Sequence, residues 1–295
     1  MTISRAARGI LLGLSMAFAA AGQTAPVAVP PASQDLSIGK LRVTALRDLS
    51  NVLPNDGKVF GKDVGPGAVA DALRAAGLPD DRITLGVQAL LVRMGQRVVL
   101  IDTGMGEKAG GVLIASLAQA GVAPARVTDI LITHSHPDHI GGLLDAQGVA
   151  RFPNASIHMA AAEWAWLSAK PAMADFVKAV GPRIKGFTPG AVVLPGIMSV
   201  SLPGHTPGHV GYRIGTGRNS LIDIGDTAHS SLLSLTHPDW VIGFDTDADA
   251  GRTGRKAELA ALAKRGQLIF SPHFPFPGFG RIVAQGDGYR WAAKE

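Results

Sequence analysis

Apolar and polar positions repeat along the chain with two different periods, and each period predicts one kind of element. Alternating or short continuous apolar stretches between Gly, Pro and Asp predict strands. Apolar positions three or four apart, ended by Gly or Pro, predict helices. The predicted strands lie at residues 41–46, 85–93, 97–102, 127–133, 155–159, 192–194, 197–202, 210–214, 220–224, 267–270 and in a hairpin at 281–291. The predicted helices lie at residues 69–76, 111–120, 161–167, 176–180 and 257–264. This mixture predicts an α/β fold with sheets packed face to face and helices on the outer faces.

The N-terminal pattern sets the domain limits. Residues 9–21 are apolar, follow Arg5 and Arg8, and end in alanines. The stretch is too short to span a bilayer, and its layout is typical of a secretory signal peptide. We therefore expect a signal peptide at residues 1–21, a proline-rich linker at 22–35 and one domain at 36–295. Export to the periplasm or the medium follows, without stable insertion in the membrane.

Composition narrows the chemistry. The chain has no cysteine, which excludes disulfides, thiolate ligands and a cysteine nucleophile. Any metal ligand must therefore come from histidine, aspartate or glutamate. The formal net charge is +5, but the basic residues are scattered and do not cluster with aromatic residues. We therefore expect no nucleic-acid partner.

The most informative polar stretch directly follows the predicted strand at 127–133. It contains His134, His136, Asp138 and His139. Extended backbone sends side chains at i and i+2 to the same side, so the first two histidines can reach one ion. Pro137 excludes a regular helix or ladder at this point, which lets the next two side chains turn toward a neighbouring point. Imidazole and carboxylate groups suit Zn²⁺ and similar ions. A solvated polar loop is the alternative, and the spacing favours metal binding.

Three further polar residues also follow predicted strands, namely His205, Asp226 and His273. Loops at one end of a sheet are where an α/β scaffold gathers its site. In this order, the residues resemble the signature of the metallo-β-lactamase fold hydrolases over about residues 36–295. The resemblance implies an αβ/βα sandwich with a dinuclear site between the upper edges of two mixed sheets.

The same resemblance implies a complete ligand set. It consists of His134, His136 and His205 for one ion, Asp138, His139 and His273 for the other, and Asp226 as the bridge. Zn²⁺ is the first expectation for both ions, with Mn, Co and Fe as ions that the same donors accept. Two such ions, roughly 3.5–4 Å apart, can share a nucleophilic hydroxide. Asp138 would orient that hydroxide and Asp226 would couple the ions, so these two are the expected catalytic residues.

Residues around the ligands are expected to support the site or border the substrate. Asp102 resembles an aspartate that hydrogen-bonds a ligand imidazole, with capping of the turn at residues 103–104 as its alternative role. His209 is expected behind the ligands as a hydrogen-bond donor. Phe60, Trp166 and His229 are the expected pocket residues. Phe60 falls within a predicted long loop at residues 51–67, and His229 takes the place of a tyrosine that assists catalysis in acyl-homoserine lactonases.

The segments at 203–209, 244–247 and 271–280 resemble methyl parathion hydrolase and its relatives. They favour a dinuclear hydrolase of a neutral ester, either an organophosphate triester or an aryl ester. An N-acyl-homoserine lactonase or another lactonase is the alternative, and a mononuclear iron dioxygenase of the same fold is an alternative of another class. The bridging carboxylate favours two ions over one. No Arg or Lys adjoins a ligand motif, which predicts a neutral, fairly apolar small-molecule substrate. A homodimer remains an open alternative.

Overall fold

Two seven-stranded sheets form the centre of the protein. The computed structural model describes residues 26–39, 41–217 and 219–294, so the predicted signal peptide lies outside the described residues. The first sheet contains, in spatial order, β1 (Ser33–Ile38), β2 (Leu41–Pro54), β3 (Arg82–Met94), β4 (Arg97–Ile101), β5 (Asp129–Leu131), β6 (Ser156–Ala160) and β7 (Ile184–Phe187). The second contains β8 (Val192–Leu194), β9 (Ile197–Ser201), β10 (Val210–Thr216), β11 (Asn219–Asp223), β12 (Leu268–Phe270), β13 (Phe279–Gln285) and β14 (Gly288–Ala293).

Both sheets are mixed. In the first sheet β1 to β4 pair antiparallel, whereas β4 to β7 pair parallel. In the second sheet the pair of β11 and β12 is parallel and the other pairs are antiparallel. The α-helices are α1 (Gly65–Ala75), α2 (Leu113–Gln119), α3 (Pro137–Ile140), α4 (Ala161–Ser168), α5 (Ala174–Val180), α6 (Leu233–Thr236) and α7 (Ala248–Arg265). Short 3-10 turns lie at Glu107–Ala109, Pro124–Arg126, Gly141–Leu143, Pro171–Met173, Gly181–Arg183 and Gly225–Thr227. The architecture confirms the predicted α/β sandwich.

The strand pattern explains the layers. Successive side chains of a strand point to opposite faces of its sheet. Leu90 and Val92 of β3 join the cluster between the sheets, where they meet Tyr212 of β10. Leu91, one position away, joins the outer cluster that α2, α4 and α5 cover. On the second sheet, Ile222 of β11 faces the outer cluster that includes residues of α7.

Several elements differ from their predicted limits. β1 begins at Ser33, and Val27 forms a bridge with Ser50, so part of the predicted linker pairs with β2. β2 runs to Pro54 because its partner β3 begins at Arg82 and continues the ladder over the start of the predicted loop. None of the helices in the described part of the chain is long and apolar enough to cross a membrane.

Two helices also begin where sequence periodicity did not place them. Pro137 opens α3, contrary to the expectation that it excludes a helix there. Proline is tolerated at the first helical position because its missing N–H would have no partner in any case. α7 begins at Ala248, where the Asp247 side chain accepts a hydrogen bond from the Ala250 amide at 2.9 Å. Its first half is rich in Gly and charged residues, which hid it from a search for apolar periodicity.

Candidate metal centre

The predicted ligands lie together at one edge of the sandwich. Each follows the end of a strand: four follow β5, and the others follow β9, β11 and β12. The structure brings these side chains into two groups, and Asp226 and His273 also form a third group with His229. The first two groups are His134, His136, His205 and Asp226 on one side, and Asp138, His139 and His273 on the other.

The first group is built around His205. Its Nε2 atom lies 3.1 Å from His134 Nε2 and 2.9 Å from His136 Nδ1. Asp226 Oδ2 lies 3.2 Å from His205 Nε2 and 3.6 Å from His134 Nε2. Three imidazole nitrogens and one carboxylate oxygen therefore converge on a common point, as a tetrahedral metal site requires.

The second group meets the other oxygen of the same carboxylate. Asp226 Oδ1 lies 3.2 Å from His139 Nε2 and 3.1 Å from His273 Nε2. Asp138 Oδ2 lies 3.7 Å and 3.6 Å from these same two nitrogens. Asp226 therefore presents one oxygen to each group, which is the geometry of a bridging ligand.

The buried polar atoms of the centre fit two cations. His139 Nε2, His273 Nε2 and Asp226 Oδ1 are buried and have no hydrogen-bond partner. Buried polar atoms normally have partners, because an unmade bond there costs free energy. Burial, together with the neighbouring imidazoles, lowers the pKa of His134 and His136 well below the ordinary value, which keeps their lone pairs free for a metal. The donor set, its burial and its unpaired atoms all match a pair of divalent ions.

The second group is held by hydrogen bonds to the far side of its rings. His139 Nδ1 donates to Asp102 Oδ2 at 2.7 Å, and the same aspartate accepts from the amide and the hydroxyl of Thr133 at 2.8 Å and 2.7 Å. His273 Nδ1 donates to the Gly86 carbonyl at 2.7 Å. Each bond fixes the tautomer that presents Nε2 to the centre. Asp102 thus occupies the supporting position that its resemblance implied.

The first group has a support to which sequence reasoning gave no role. His205 Nδ1 donates to Asp245 Oδ1 at 3.0 Å, and Arg255 donates to the other oxygen of Asp245 at 3.2 Å. Arg255 also donates to the carbonyls of Pro238 and Trp240. The carboxylates of Asp226 and Asp245 outweigh burial and raise the pKa of His205 to about 9. An ion that binds His205 must therefore displace a proton.

His209 acts on the backbone of the bridging residue. Its Nδ1 donates to the Leu202 carbonyl at 2.8 Å, and its Nε2 accepts from the Asp226 amide at 3.0 Å. Burial, together with the neighbouring His205, lowers the pKa of His209 to about 3, so the ring is neutral and can accept. Gly225 has φ of +47°, and a Cβ there would lie 2.5 Å from His209 Nε2. Only glycine fits this approach.

The three predicted pocket residues occupy three different positions. His229 lies inside the ligand cluster, with Nε2 3.1 Å from Asp226 Oδ2 and its ring stacked on that of His273 at 5.4 Å. The Trp166 ring lies 6.3 Å from that of His136. Phe60 lies in a buried hydrophobic cluster with Ile242 and Leu233.

Two residues absent from the predicted pocket lie close to these. Phe244 packs against the cluster that holds Phe60, and its ring lies 5.4 Å from that of His229. Lys170 Nζ lies 3.0 Å from the centre of the Trp166 ring. Lys170 is 34 positions from His136 in the sequence, so a search for cations beside the ligand motifs could not find it.

A sandwich with two histidine and aspartate groups that share one carboxylate has the donors of a dinuclear metal centre. The family model described as the metallo-beta-lactamase superfamily matches residues 82–272, which is more than half of the chain. The chain belongs to the metallo-β-lactamase superfamily.

Similar proteins agree with this assignment. A probable metallo-hydrolase of Mycobacterium bovis is 26% identical over 183 residues, which cover 49% of this chain and 57% of that protein. The match thus spans little more than half of that relative. Among solved structures, AidC, a dizinc quorum-quenching lactonase in complex with the product N-hexanoyl-L-homoserine, is 30% identical with a TM-score of 0.85, covering 90% of this chain and 98% of that chain. AbOPH, a hydrolase in the β-lactamase superfamily, is 29% identical with a TM-score of 0.82, covering 90% and 99%.

Proposed function

We propose that the protein hydrolyses neutral esters at a dinuclear zinc centre and that lactones of the N-acyl-homoserine type are its first substrate class. The observation that carries the dinuclear assignment is the orientation of Asp226, whose two oxygens face two separate groups of ligands. The lactone assignment is supported by the similarity to AidC, which extends over nearly the whole of both chains. Zinc is supported by the histidine-rich donor set and by the two zinc ions of that lactonase.

The side chains divide the work of hydrolysis. When bound, two divalent ions would supply Lewis acidity for the ester oxygen and a nucleophile from water at neutral pH. Asp226 holds the two ligand groups at a fixed separation. His136 and Asp138 are the two ligands that are only partly buried, so the centre opens to solvent on their side. Asp138 can therefore accept a hydrogen bond from the attacking water and orient it. Trp166, beside His136, offers an apolar surface at the same opening.

The charges near the opening favour a neutral substrate. Lys170 lies over the ring of Trp166, and Arg255 is buried against Asp245. Recognition of an anionic ester uses a cation that can hold two oxygens in a fixed geometry. Arg255 already has a carboxylate partner inside the fold, and Lys170 is held against an aromatic ring. A neutral lactone or ester therefore suits the opening better than its anionic counterpart.

Neutral phosphotriesters and aryl esters are the second candidate class. The segments at residues 203–209 and 271–280 support it through their resemblance to methyl parathion hydrolase, and a two-ion centre can attack phosphorus as well as carbon. The test is a comparison of kcat/KM for an acyl-homoserine lactone, an aryl phosphotriester, an aryl ester and an aryl phosphate monoester. We expect the lactone to be the best substrate and the monoester the worst. Preference for the monoester would contradict the neutral-substrate proposal. Preference for the triester would make neutral phosphotriesters the first substrate class and lactones the second.

Metal analysis of the purified protein tests the remaining alternative. Two ions per chain support the hydrolase, whereas one iron per chain with consumption of oxygen would support a dioxygenase. Export and a homodimer are further proposals. Size-exclusion chromatography with light scattering tests the homodimer, because one chain has a mass of 30.5 kDa.

A further inference from the structure

Helix α4 carries a buried carboxylate, Glu163, whose hydrogen bonds join two loops that carry ligands. Its Oε1 atom accepts hydrogen bonds from the amide and the hydroxyl of Ser135 at 2.8 Å and 2.6 Å. Its Oε2 atom accepts from the Thr206 hydroxyl at 2.8 Å and from the Gly208 amide at 2.9 Å. Both oxygens are thus fully used, and each serves a different loop.

These two loops supply the three histidines of the first ligand group. Ser135 stands between His134 and His136, and Thr206 directly follows His205. A shift of either loop would change the separation of the imidazole nitrogens, which lie 2.9–3.1 Å apart in this group. The histidines of the second group depend on other partners, since their Nδ1 atoms donate to Asp102 and to the Gly86 carbonyl.

The packing around Glu163 leaves little freedom. The residue is completely buried, and its carboxylate interacts electrostatically with Lys170. A buried carboxylate is costly unless hydrogen bonds satisfy it, and four donors do so here. A Cβ at Gly208 would lie 2.2 Å from the Glu163 amide nitrogen, so α4 and the loop after β9 touch backbone to backbone. The helix therefore acts as a rigid base for the carboxylate.

We propose that Glu163 is a positioning residue for the first ligand group. It holds the loop at 134–136 and the loop at 205–208 at a fixed separation. It thereby sets the affinity for one of the two ions and leaves the affinity for the other ion unchanged. The inference rests on the proposed dinuclear centre. It predicts a selective effect that a general loss of stability would not produce.

The test compares wild type with Glu163→Gln, Glu163→Ala and the control Glu107→Gln, which alters a glutamate that pairs with Arg151 at the surface. Each protein is loaded with Co²⁺, and the release of each ion to chelators of increasing strength is followed by visible absorption and elemental analysis. We expect Glu163→Ala to hold one ion like wild type and to bind the other roughly 10–100-fold more weakly, as is typical when a ligand loses its supporting contact. The control should match wild type.

The affinity of Glu163→Gln for this ion should lie between those of wild type and Glu163→Ala. Its side-chain amide keeps one oxygen for Ser135 but turns an NH₂ group toward the Gly208 amide. This variant carries the test if Glu163→Ala fails to fold. Wild-type retention of both ions in the variants would overturn the role of Glu163 and leave the dinuclear centre standing. Equal weakening of both ions would also overturn it. A wild-type protein that holds fewer than two ions would overturn the proposed function itself, and the inference with it.

Discussion

Removal of the Asp226 carboxylate should weaken the binding of both ions. Any other single substitution of a ligand should weaken the binding of one ion only. Oδ2 faces His205 and His134, and Oδ1 faces His139 and His273. Asp226→Ala takes one donor from each group. A ligand that belonged to one group only would affect one ion.

The size of the effect follows from the number of donors. With Asp226 counted in both, each group offers four donors, three of its own and the shared carboxylate. Structural zinc sites with four donors bind with roughly 10–16 kcal/mol of apparent free energy. One donor then contributes roughly 2.5–4 kcal/mol, if the donors share this equally. At about 1.4 kcal/mol for each factor of ten, Asp226→Ala should raise the Kd of each ion roughly 10²–10³-fold.

Equilibrium dialysis against zinc buffers, with elemental analysis, measures both constants, and lactone or ester turnover gives the activity. His229→Ala is the informative comparison, because His229 Nε2 lies 3.1 Å from the same carboxylate but the residue is not assigned as a ligand. We expect it to keep two ions and to lose less activity than Asp226→Ala. Asp239→Ala, at an exposed position, controls for loss of a negative charge. Wild-type affinity for both ions in Asp226→Ala would refute the bridge, and greater loss of metal in His229→Ala would make His229 a ligand.

Four further predictions concern two supporting aspartates, one buried histidine and the N-terminus. Asp102→Ala should weaken the binding of the ion in the second group roughly 10–100-fold and leave the binding of the other ion unchanged, because His139 loses its Nδ1 partner. A chelator titration measures this, and unchanged release of the ion would contradict it. Asp245→Ala should lower the free energy of unfolding by roughly 3–5 kcal/mol in urea, because Arg255 stays buried without its carboxylate; a change below about 1 kcal/mol would contradict this. Burial lowers the pKa of His158, so its contribution to stability is present above about pH 6.5 and is lost as the pH falls toward the folded pKa. His158→Gln should therefore reduce the acid slope of the free energy of unfolding by at most about 1.4 kcal/mol per pH unit there, and an identical slope would contradict it. The exported protein should begin near Gly22, and mass spectrometry that finds residues 1–21 retained would contradict the predicted signal peptide.

The clustering of the candidate ligands could be predicted because its signal is local. A short segment after a buried strand contains His134, His136, Asp138 and His139. That combination has few structural explanations. The layers were also predictable, because a period of two places Leu90 inside the sandwich and Leu91 outside it. Elements without such a signal were not predicted from the sequence. β7, for example, has exposed or half-buried residues throughout, so no face of it shows an apolar pattern.

The supports could not be predicted because their meaning depends on distant partners. In sequence, Glu163 and Arg255 are charged residues on helices, and such residues usually face solvent. The fold buries them instead. Glu163 bonds residues 28 and 43 positions away, and Asp245 bonds a histidine 40 positions away. No short window of sequence contains both members of these pairs. A local signature can thus reveal which atoms are candidate metal donors, whereas the hydrogen bonds between their loops involve residues that only the fold brings together.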